Sequence, residues 1–213
     1  MKLFIFDFDG TVVKKDTTDL ILEIPAKKEV WQVEEAWRNG KISSYQCMKE
    51  QAKFLKGVSL DKIYGYLKEH SSMDLDFPEL VRFLKEKGFY SVVLSEGYDV
   101  SLDLHQIRKY IGEIHCSKLL LNNGVATGEL EVSNEKKWNY NKECIGCCIC
   151  KVDFLHQIKQ KFDITKTFAV GDGGSDGCLF QYVDVSFSLN PRYKATFQVK
   201  NLGDVVEILR KSL

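Results

Sequence analysis

Acidic side chains and a hydroxyl follow three apolar segments of this chain and are of the types that phosphate chemistry uses. Asp7 and Asp9 end the first apolar run, and Ser95 follows the second. Asp172 and Asp176 lie in a glycine-rich turn after the third. Ligands of open α/β sheets bind outside the carboxyl ends of the strands, so we expect these side chains to share one pocket there.

Carboxylates gathered in one pocket would repel one another without a cation. Mg²⁺ fits such a site because it prefers oxygen ligands and binds a few carboxylates together with water and substrate phosphate. Lys151 opens a predicted helix over residues 151–162, and its charge suits the remaining phosphate oxygens, as does the Ser95 hydroxyl. A carboxylate can also act as a nucleophile and form an aspartyl-phosphate. The pattern therefore favours phosphoryl transfer with Mg²⁺ as cofactor.

The elements that must position these residues alternate between apolar strands and amphipathic helices, which predicts an α/β fold with a parallel sheet. The predicted strands cover residues 3–8, 89–94, 166–170 and 183–188, and the predicted helices that flank them cover residues 77–87 and 203–211. The segment 119–132 contains Asn122-Asn123-Gly124, which predicts a β-hairpin that turns on Asn-Gly.

Residues 14–73 interrupt this alternation. They contain no convincing strand, and apolar positions such as Val30 and Val33 stand at helical spacing. We therefore predict a doubly wound parallel sheet built from residues 1–13 and 74–213, with residues 14–73 inserted after the first strand as a small helical cap. The cap aromatic residues are interpreted as cap core, with a cage around the substrate as the alternative: Trp31, Trp37 and Tyr45.

The composition excludes some classes of protein. The 213 residues include 30 Lys and Arg and 30 Asp and Glu, so the basic excess of a general nucleic-acid binder is absent. The apolar runs are short and interrupted by charge, which argues against a membrane span and against a signal-peptide core. We expect a cytoplasmic monomer or homodimer that acts on a small phosphorylated metabolite, without a nucleic-acid or membrane partner.

Four of the seven cysteines crowd into one short segment: Cys144, Cys147, Cys148 and Cys150. A Cys-x-x-Cys pair can bind zinc or take part in redox exchange. Structural zinc sites usually draw ligand pairs from two separated segments, however, and adjacent cysteines ligate one tetrahedral ion poorly. Reduced loop thiols are therefore the preferred interpretation, and metal-bound or redox-active thiols stay open.

Four motifs together resemble, in order and spacing, those of the haloacid-dehalogenase-like phosphatases. The motifs are Asp7-x-Asp9-Gly10-Thr11, Ser95, Lys151 and Gly171-Asp172-Gly173-x-x-Asp176. The early helical insertion is similar to the cap of the phosphoserine-phosphatase-like branch.

The resemblance implies a role for each motif residue. Asp7 would be the nucleophile, and Asp9 would protonate the leaving alkoxide and then activate water. Asp7, the main-chain carbonyl of Asp9 and Asp172 would hold Mg²⁺, with support from Asp176. The residues expected to bind phosphate or the rest of the substrate are Thr11, Asp16, Gln51, Ser95, Glu96, Gly97, Lys151 and Ser175.

The substrate within this branch stays open. Asp16 stands where phosphoserine phosphatases carry a glutamate for the substrate amine, whereas Gln51 stands where they carry an arginine for the carboxylate. Glutamine cannot supply the charged fork that a carboxylate prefers. Gln51 and the turn at Ser175 look closer to enol-phosphate phosphatases of methionine salvage and to phosphoethanolamine/phosphocholine phosphatases. We predict a small-metabolite phosphomonoesterase, with phosphoserine phosphatase as the named alternative.

Receiver modules offer a different interpretation, because they also hold a phosphoaspartate beside Mg²⁺, a hydroxyl and a lysine. They lack a helical insertion after the first strand and an acid two residues beyond the phosphoacceptor. Asp9 and residues 14–73 therefore argue against a receiver.

Overall fold

The computed structural model describes residues 1–132 and 146–212. Its strands are β1 (Lys2–Phe6), β2 (Phe89–Tyr98), β3 (Glu113–Asn122), β4 (Val125–Glu131), β5 (Lys166–Gly171), β6 (Val185–Ser188) and β7 (Phe197–Gln198). They form one sheet in the order β4-β3-β2-β1-β5-β6-β7. Every neighbouring pair is parallel except β3 and β4, which form an antiparallel hairpin.

The helices fall into two groups along the chain. The first four are α1 (Thr17–Glu23), α2 (Glu29–Arg38), α3 (Ser44–Phe54) and α4 (Leu60–His70), and the others are α5 (Phe77–Glu86), α6 (Asp99–Leu104), α7 (Lys151–Lys161), α8 (Gly174–Leu179) and α9 (Leu202–Ser212). None of the helices in the described part of the chain has the length and apolar character needed to cross a membrane.

The central strand β1 is buried on both faces. Phe4 and Phe6 pack in one apolar cluster with α5 and α9, whereas Leu3 and Ile5 pack in another with α7 and α8. Alternate residues of a strand point to opposite faces, so an unbroken apolar run requires helices on both sides. Each such side chain contributes roughly 1.5–3 kcal/mol by leaving water. The predicted doubly wound α/β fold is confirmed.

The connections of β1 place a crevice at its carboxyl end. β1 pairs with β2 on one side and with β5 on the other. From β1 the chain crosses to β2 on one side, and from β5 it crosses to β6 on the other side. Connections that run in opposite directions from two neighbouring strands open a ligand crevice between them in sheets of this kind.

The segments that lead into and out of residues 14–73 pair with each other. Val13 forms an antiparallel bridge with Met73. The Asp74 amide donates to the Val12 carbonyl at 2.8 Å. The four helices α1 to α4 lie between these paired segments. We keep residues 14–73 as the proposed cap.

The first four helices pack against the β3–β4 hairpin. Leu55 and Ile63 share an apolar cluster with Leu119 and Ala126 of the hairpin. Ala126 also exchanges two main-chain hydrogen bonds of 2.9 Å with the segment after α3, one of them with Val58. The hairpin therefore anchors these helices to the sheet.

The first strand ends at Phe6, two residues earlier than predicted. The Phe8 carbonyl accepts the amides of Thr11, Val12 and Val13 at 2.8–3.2 Å, which curls the chain into a turn. Phe8 is fully buried inside this turn. An apolar residue that is buried in a turn has the same sequence signature as one in a strand, which explains the wrong boundary.

Other elements also depart from the prediction. β2 continues to Tyr98 through a register irregularity that begins at Leu94. β3 begins at Glu113. Its first residues are only half-buried, so no apolar run in the sequence indicates the start of this strand. Trp31 is 40% exposed, so its interpretation as cap core is wrong. β7, α6 and α8 have six residues or fewer, too few to show periodicity.

The hairpin turn gives a test of the fold. Asn123 and Gly124 have φ of 48° and 74°, as a two-residue hairpin turn requires. An added Cβ would meet no atom within 4 Å at Gly124 or at Gly112, so the two sites differ in backbone conformation and not in space. We expect Gly124→Ala to lower the free energy of unfolding by about 1–2 kcal/mol, because left-handed backbone disfavours a Cβ.

Urea unfolding of both variants measures this difference. Gly112→Ala is the matched control and should leave the free energy of unfolding within about 0.5 kcal/mol of the wild type. Equal effects at the two glycines would contradict the turn conformation.

Candidate active site

A cavity of about 390 Å³ lies between the carboxyl end of β1 and the helices α1 to α3. The predicted site residues on its wall are Asp7, Asp9, Asp16, Gln51, Ser95, Glu96, Gly97, Asp172, Ser175 and Asp176. The fold thus brings together residues from separate strand ends, from the N-cap of α1 and from α3.

Two predicted phosphate-binding residues lie behind Asp7. The Lys151 ammonium is fully buried, with Nζ 2.7 Å from Asp7 Oδ1 and 2.6 Å from Asp176 Oδ1. The Thr11 hydroxyl, also buried, donates to Asp7 Oδ2 at 3.4 Å. Lys151 and Thr11 therefore contact the carboxylate of Asp7 but do not themselves line the cavity. Their contact with phosphate remains a prediction.

The buried ion pair shifts the pKa values of Lys151 and Asp7. Burial alone would lower the pKa of Lys151, but the charges of Asp176 and Asp7 outweigh burial and raise that pKa above its ordinary value. Burial raises the pKa of Asp7 to about 6, and the Lys151 charge limits this rise. Asp7 and Lys151 are therefore both charged at neutral pH.

Three carboxylates form a group that could hold a metal ion. One oxygen from each of Asp7, Asp172 and Asp176 lies within 4.8 Å of the other two. The Gly173 amide donates to Asp176 Oδ2 at 3.0 Å and fixes this side chain. Burial, together with the charge of a neighbouring carboxylate, raises the pKa of Asp172 and of Asp176 to about 6. The three carboxylates repel one another, and a bound cation would relieve this repulsion. Because all of their ligand atoms are oxygens, the group fits a hard divalent cation.

The Asp9 carboxylate is held apart from this group. Its Oδ1 accepts the amide of Thr17 at 2.8 Å and the hydroxyl of Thr17 at 2.6 Å. Desolvation, with the charge of Asp16, raises the pKa of Asp9 well above its ordinary value, although the Thr17 hydrogen bonds oppose the rise. The predicted metal contact of Asp9 involves its main-chain carbonyl and stays a prediction.

Glu96 joins three parts of the molecule. It lies in β2, and its Oε2 accepts the Ser44 hydroxyl of α3 at 2.7 Å. The same oxygen accepts the amide of Cys148, three residues before Lys151, at 2.8 Å. Beside it, Ser95 Oγ accepts the Gly97 amide at 3.0 Å. Glu96 therefore links the proposed cap, the sheet and the segment that leads into α7.

The two predicted substrate-facing residues of the first helices both reach the cavity. Asp16 caps α1 by accepting the Asp19 amide at 3.0 Å. Gln51 of α3 is only 2% exposed, and its Nε2 donates to Glu34 Oε2 at 3.0 Å. Glu34 belongs to the cavity wall and ties α2 to α3.

The chain matches the haloacid dehalogenase-like hydrolase family over residues 4–181. It belongs to that family. The phosphoserine phosphatase of Methanocaldococcus jannaschii is 26% identical over 214 aligned positions, which cover 98% of this hydrolase and 96% of the relative. The 2-hydroxy-3-keto-5-methylthiopentenyl-1-phosphate phosphatase of Bacillus mycoides is 23% identical over 180 positions, covering 83% and 78% of the two chains.

Solved structures agree on the fold of this hydrolase. A substrate-bound phosphoserine phosphatase complex superimposes with a TM-score of 0.75 at 21% identity, over 97% of each chain. The likeness covers the sheet and the inserted helices alike. At this identity it shows the fold, and the chemistry has to be argued from the residues of the site.

Sequence reasoning missed much of the wall that the first helices supply. The missed residues include Asp19, Glu34, Arg38, Ser44, Cys47 and Met48. Trp37, interpreted as cap core, also lies on this wall. Ser44, Cys47 and Gln51 stand at i, i+3 and i+7 along α3, so helical spacing from Gln51 would have pointed to that face.

The cysteine-rich segment is only partly described. None of the cysteines in residues 1–132 and 146–212 forms a disulfide, and Cys144 lies outside these ranges. Burial raises the pKa of Cys148 well above its ordinary value and the pKa of Cys47 to about 12. Such thiols stay protonated and react slowly. The metal-bound and redox alternatives stay open.

The raised carboxyl pKa values predict a pH dependence of stability in the metal-free protein. The pKa of Asp172 is about 6 in the folded chain, against an ordinary value of 3.8. Between these values the folded chain holds protons that the unfolded chain has released. Its free energy of unfolding therefore falls as pH rises through that window. We expect Asp172→Asn to make this fall less steep.

Urea unfolding in the presence of a chelator, from about pH 4 to about pH 7, measures the slope. Glu129→Gln, an exposed site on β4, should keep the wild-type slope. A wild-type slope in Asp172→Asn would show that the pKa of Asp172 is not raised.

Proposed function

We propose that this hydrolase is a Mg²⁺-dependent phosphomonoesterase that cleaves a small-metabolite phosphate ester through an aspartyl-phosphate. The observation that carries the proposal is the meeting of a charged Asp7, its buried Lys151 partner and two further carboxylates at the carboxyl end of β1. A nucleophile, a fixed positive charge and a metal-binding group are the components that phosphoryl transfer requires.

Asp7 is the proposed nucleophile. One of its carboxylate oxygens attacks phosphorus, and the bond between phosphorus and the ester oxygen breaks. Lys151 and the Thr11 hydroxyl fix the carboxylate, and Lys151 keeps it ionised. Asp7, the main-chain carbonyl of Asp9 and Asp172, with support from Asp176, would hold Mg²⁺, which would supply positive charge to the phosphate oxygens.

Asp9 is the proposed general acid and base. A raised pKa favours the protonated form of this carboxyl, and the proton passes to the leaving alkoxide. The resulting carboxylate then takes a proton from the water that hydrolyses the aspartyl-phosphate. Thr17 holds the carboxyl in one orientation for both steps.

Other wall residues have proposed roles in binding. Ser95, Gly97 and Ser175 are candidates for hydrogen bonds to phosphate, and Glu96 positions Ser44 and the segment before Lys151. The proposed cap selects the leaving group and excludes bulk water. We retain a small phosphorylated metabolite as substrate, and a monomer or homodimer as the assembly.

Phosphoserine phosphatase is the named specific alternative. The relatives of that name support it, as does the carboxylate of Asp16 on the cavity wall. Gln51 argues against it, because it brings no positive charge for a carboxylate and is bonded to Glu34.

The two catalytic carboxylates can be separated by their leaving-group dependence. Asp7→Asn removes the attacking charge, so kcat/KM should fall by about a thousandfold or more for every ester. Asp9→Asn removes only proton transfer, so an alkyl phosphate should lose far more activity than p-nitrophenyl phosphate, whose leaving group needs no proton.

Phosphate release from both esters measures these losses. Asp61→Asn, an exposed acid of α4, is the control and should keep wild-type rates. Substantial turnover by Asp7→Asn would place the nucleophile elsewhere, and equal losses on both esters in Asp9→Asn would remove its role as acid.

Removal of the metal gives a second test. Exhaustive chelation should abolish turnover, and Mg²⁺ should restore it. Ca²⁺ should substitute poorly, because its larger and looser coordination shell disturbs in-line geometry. Phosphate release that survives chelation at the full rate would contradict a metal requirement.

A further inference from the structure

The part of the cavity that faces the inserted helices carries an excess of negative charge. Apart from the catalytic carboxylates, its wall has four acids, Asp16, Asp19, Glu34 and Glu96, and two bases, Lys14 and Arg38. The proposed phosphate position and the carboxylates of Asp7, Asp172 and Asp176 lie at the other end. The leaving group of a substrate bound at Asp7 therefore faces these acids.

The two bases offer little to a substrate carboxylate. Lys14 is exposed. The Arg38 side chain is 67% exposed, and its Nε already pairs with Glu34 Oε1 at 3.1 Å. Exposed charges of this kind are screened by water and bind weakly. The described part of the wall thus has no buried positive charge near Gln51.

Glu34 is held in place as an acceptor. Its side chain is only 14% exposed. Its two oxygens accept from Arg38 and from Gln51, and the thiol of Cys47 lies 3.8 Å from Oε2. A carboxylate that is largely shielded from water and fixed in this way loses little entropy when it binds a cation.

Gln51 adds a second acceptor. Its amide nitrogen faces Glu34, since a carboxylate can only accept. No donor among the described residues reaches its amide oxygen, although the side chain is 98% buried on the cavity wall. This oxygen is not among the buried side-chain atoms that lack a partner, so it is open to the cavity, where a ligand could supply a donor. An ammonium group would supply that donor.

Two further observations fit a cation in this position. Burial, with the charges of Asp16 and Glu34, raises the pKa of Asp19 to about 7, so negative charge here is poorly compensated. The indole of Trp37 lies on the same wall, and an aromatic face attracts an ammonium group.

We propose that the alcohol part of the substrate carries an ammonium group and no carboxylate, so that the substrate is a phosphate monoester of an amino alcohol. Glu34 and Asp19 neutralise the ammonium, and the Gln51 oxygen accepts one of its hydrogen bonds. The proposal rests on the proposed function, because it takes Asp7 as the position of the phosphate.

A comparison of three esters tests the proposal. Phosphoethanolamine has an ammonium group, n-propyl phosphate is its neutral counterpart of similar size, and O-phosphoserine adds a carboxylate. We expect kcat/KM for phosphoethanolamine to exceed that for n-propyl phosphate by about 10- to 100-fold, as for a charge-assisted hydrogen bond. We expect O-phosphoserine to fall below phosphoethanolamine.

Variants then assign the preference to residues. Glu34→Gln and Asp19→Asn should each lower the ratio of phosphoethanolamine to n-propyl phosphate by about tenfold. Arg38→Gln should keep or raise this ratio, because it removes a positive charge. Glu35→Gln, the exposed neighbour on α2, is the matched control and should keep both rates.

The outcomes separate this inference from the proposed function. If p-nitrophenyl phosphate and n-propyl phosphate are hydrolysed but the ammonium ester has no advantage, the inference is wrong and the phosphatase activity stands. A preference for O-phosphoserine that Arg38→Gln removes would also overturn it. If no ester releases phosphate, the proposed function fails and the inference fails with it.

Discussion

The buried ion pair of Lys151 with Asp7 and Asp176 is the interaction on which the site depends. It joins the end of β1, the start of α7 and the first turn of α8, three places that are far apart in the chain. Removal of one partner from a buried pair typically costs about 3–5 kcal/mol, because the remaining charge is left uncompensated. The sheet order β2-β1-β5 makes the contact possible, and the contact in turn fixes the carboxylate of Asp7.

This ion pair also explains how two carboxylates so close in sequence acquire different properties. Asp7 lies against a buried ammonium, which limits the rise of its pKa. Asp9 has the neutral Thr17 as its partner and Asp16 as a neighbouring charge, so its pKa rises further. The turn after β1 sends the two side chains to these different surroundings. Two carboxylates from one short segment therefore differ in pKa because one faces Lys151 and the other faces Thr17 and Asp16.

The central strands, the doubly wound class and the strand ends that carry the motif carboxylates could be predicted from the sequence, because apolar runs and strand-end acids are local signals. The wall formed by α2 and α3 could not. Helical spacing shows that Glu34 and Gln51 lie on helices, but not which face meets the cavity, since that depends on how α2 and α3 pack together. The partner of Asp9 was hidden for the same reason: Thr17 is an ordinary first-turn residue until the fold brings it to the carboxylate.

The single carboxylate oxygen of Glu96 that accepts from both Ser44 and Cys148 has a consequence for the timing of catalysis. Movement of α3 away from the sheet must break or strain one of these bonds. The Tyr45 amide adds a third link at 2.8 Å to the Gly146 carbonyl in the same segment. Because that segment runs directly into Lys151, displacement of the entrance helix is transmitted to the ammonium that holds the nucleophile. The position of α3 at the cavity entrance and the geometry of the ion pair between Lys151 and Asp7 therefore depend on each other.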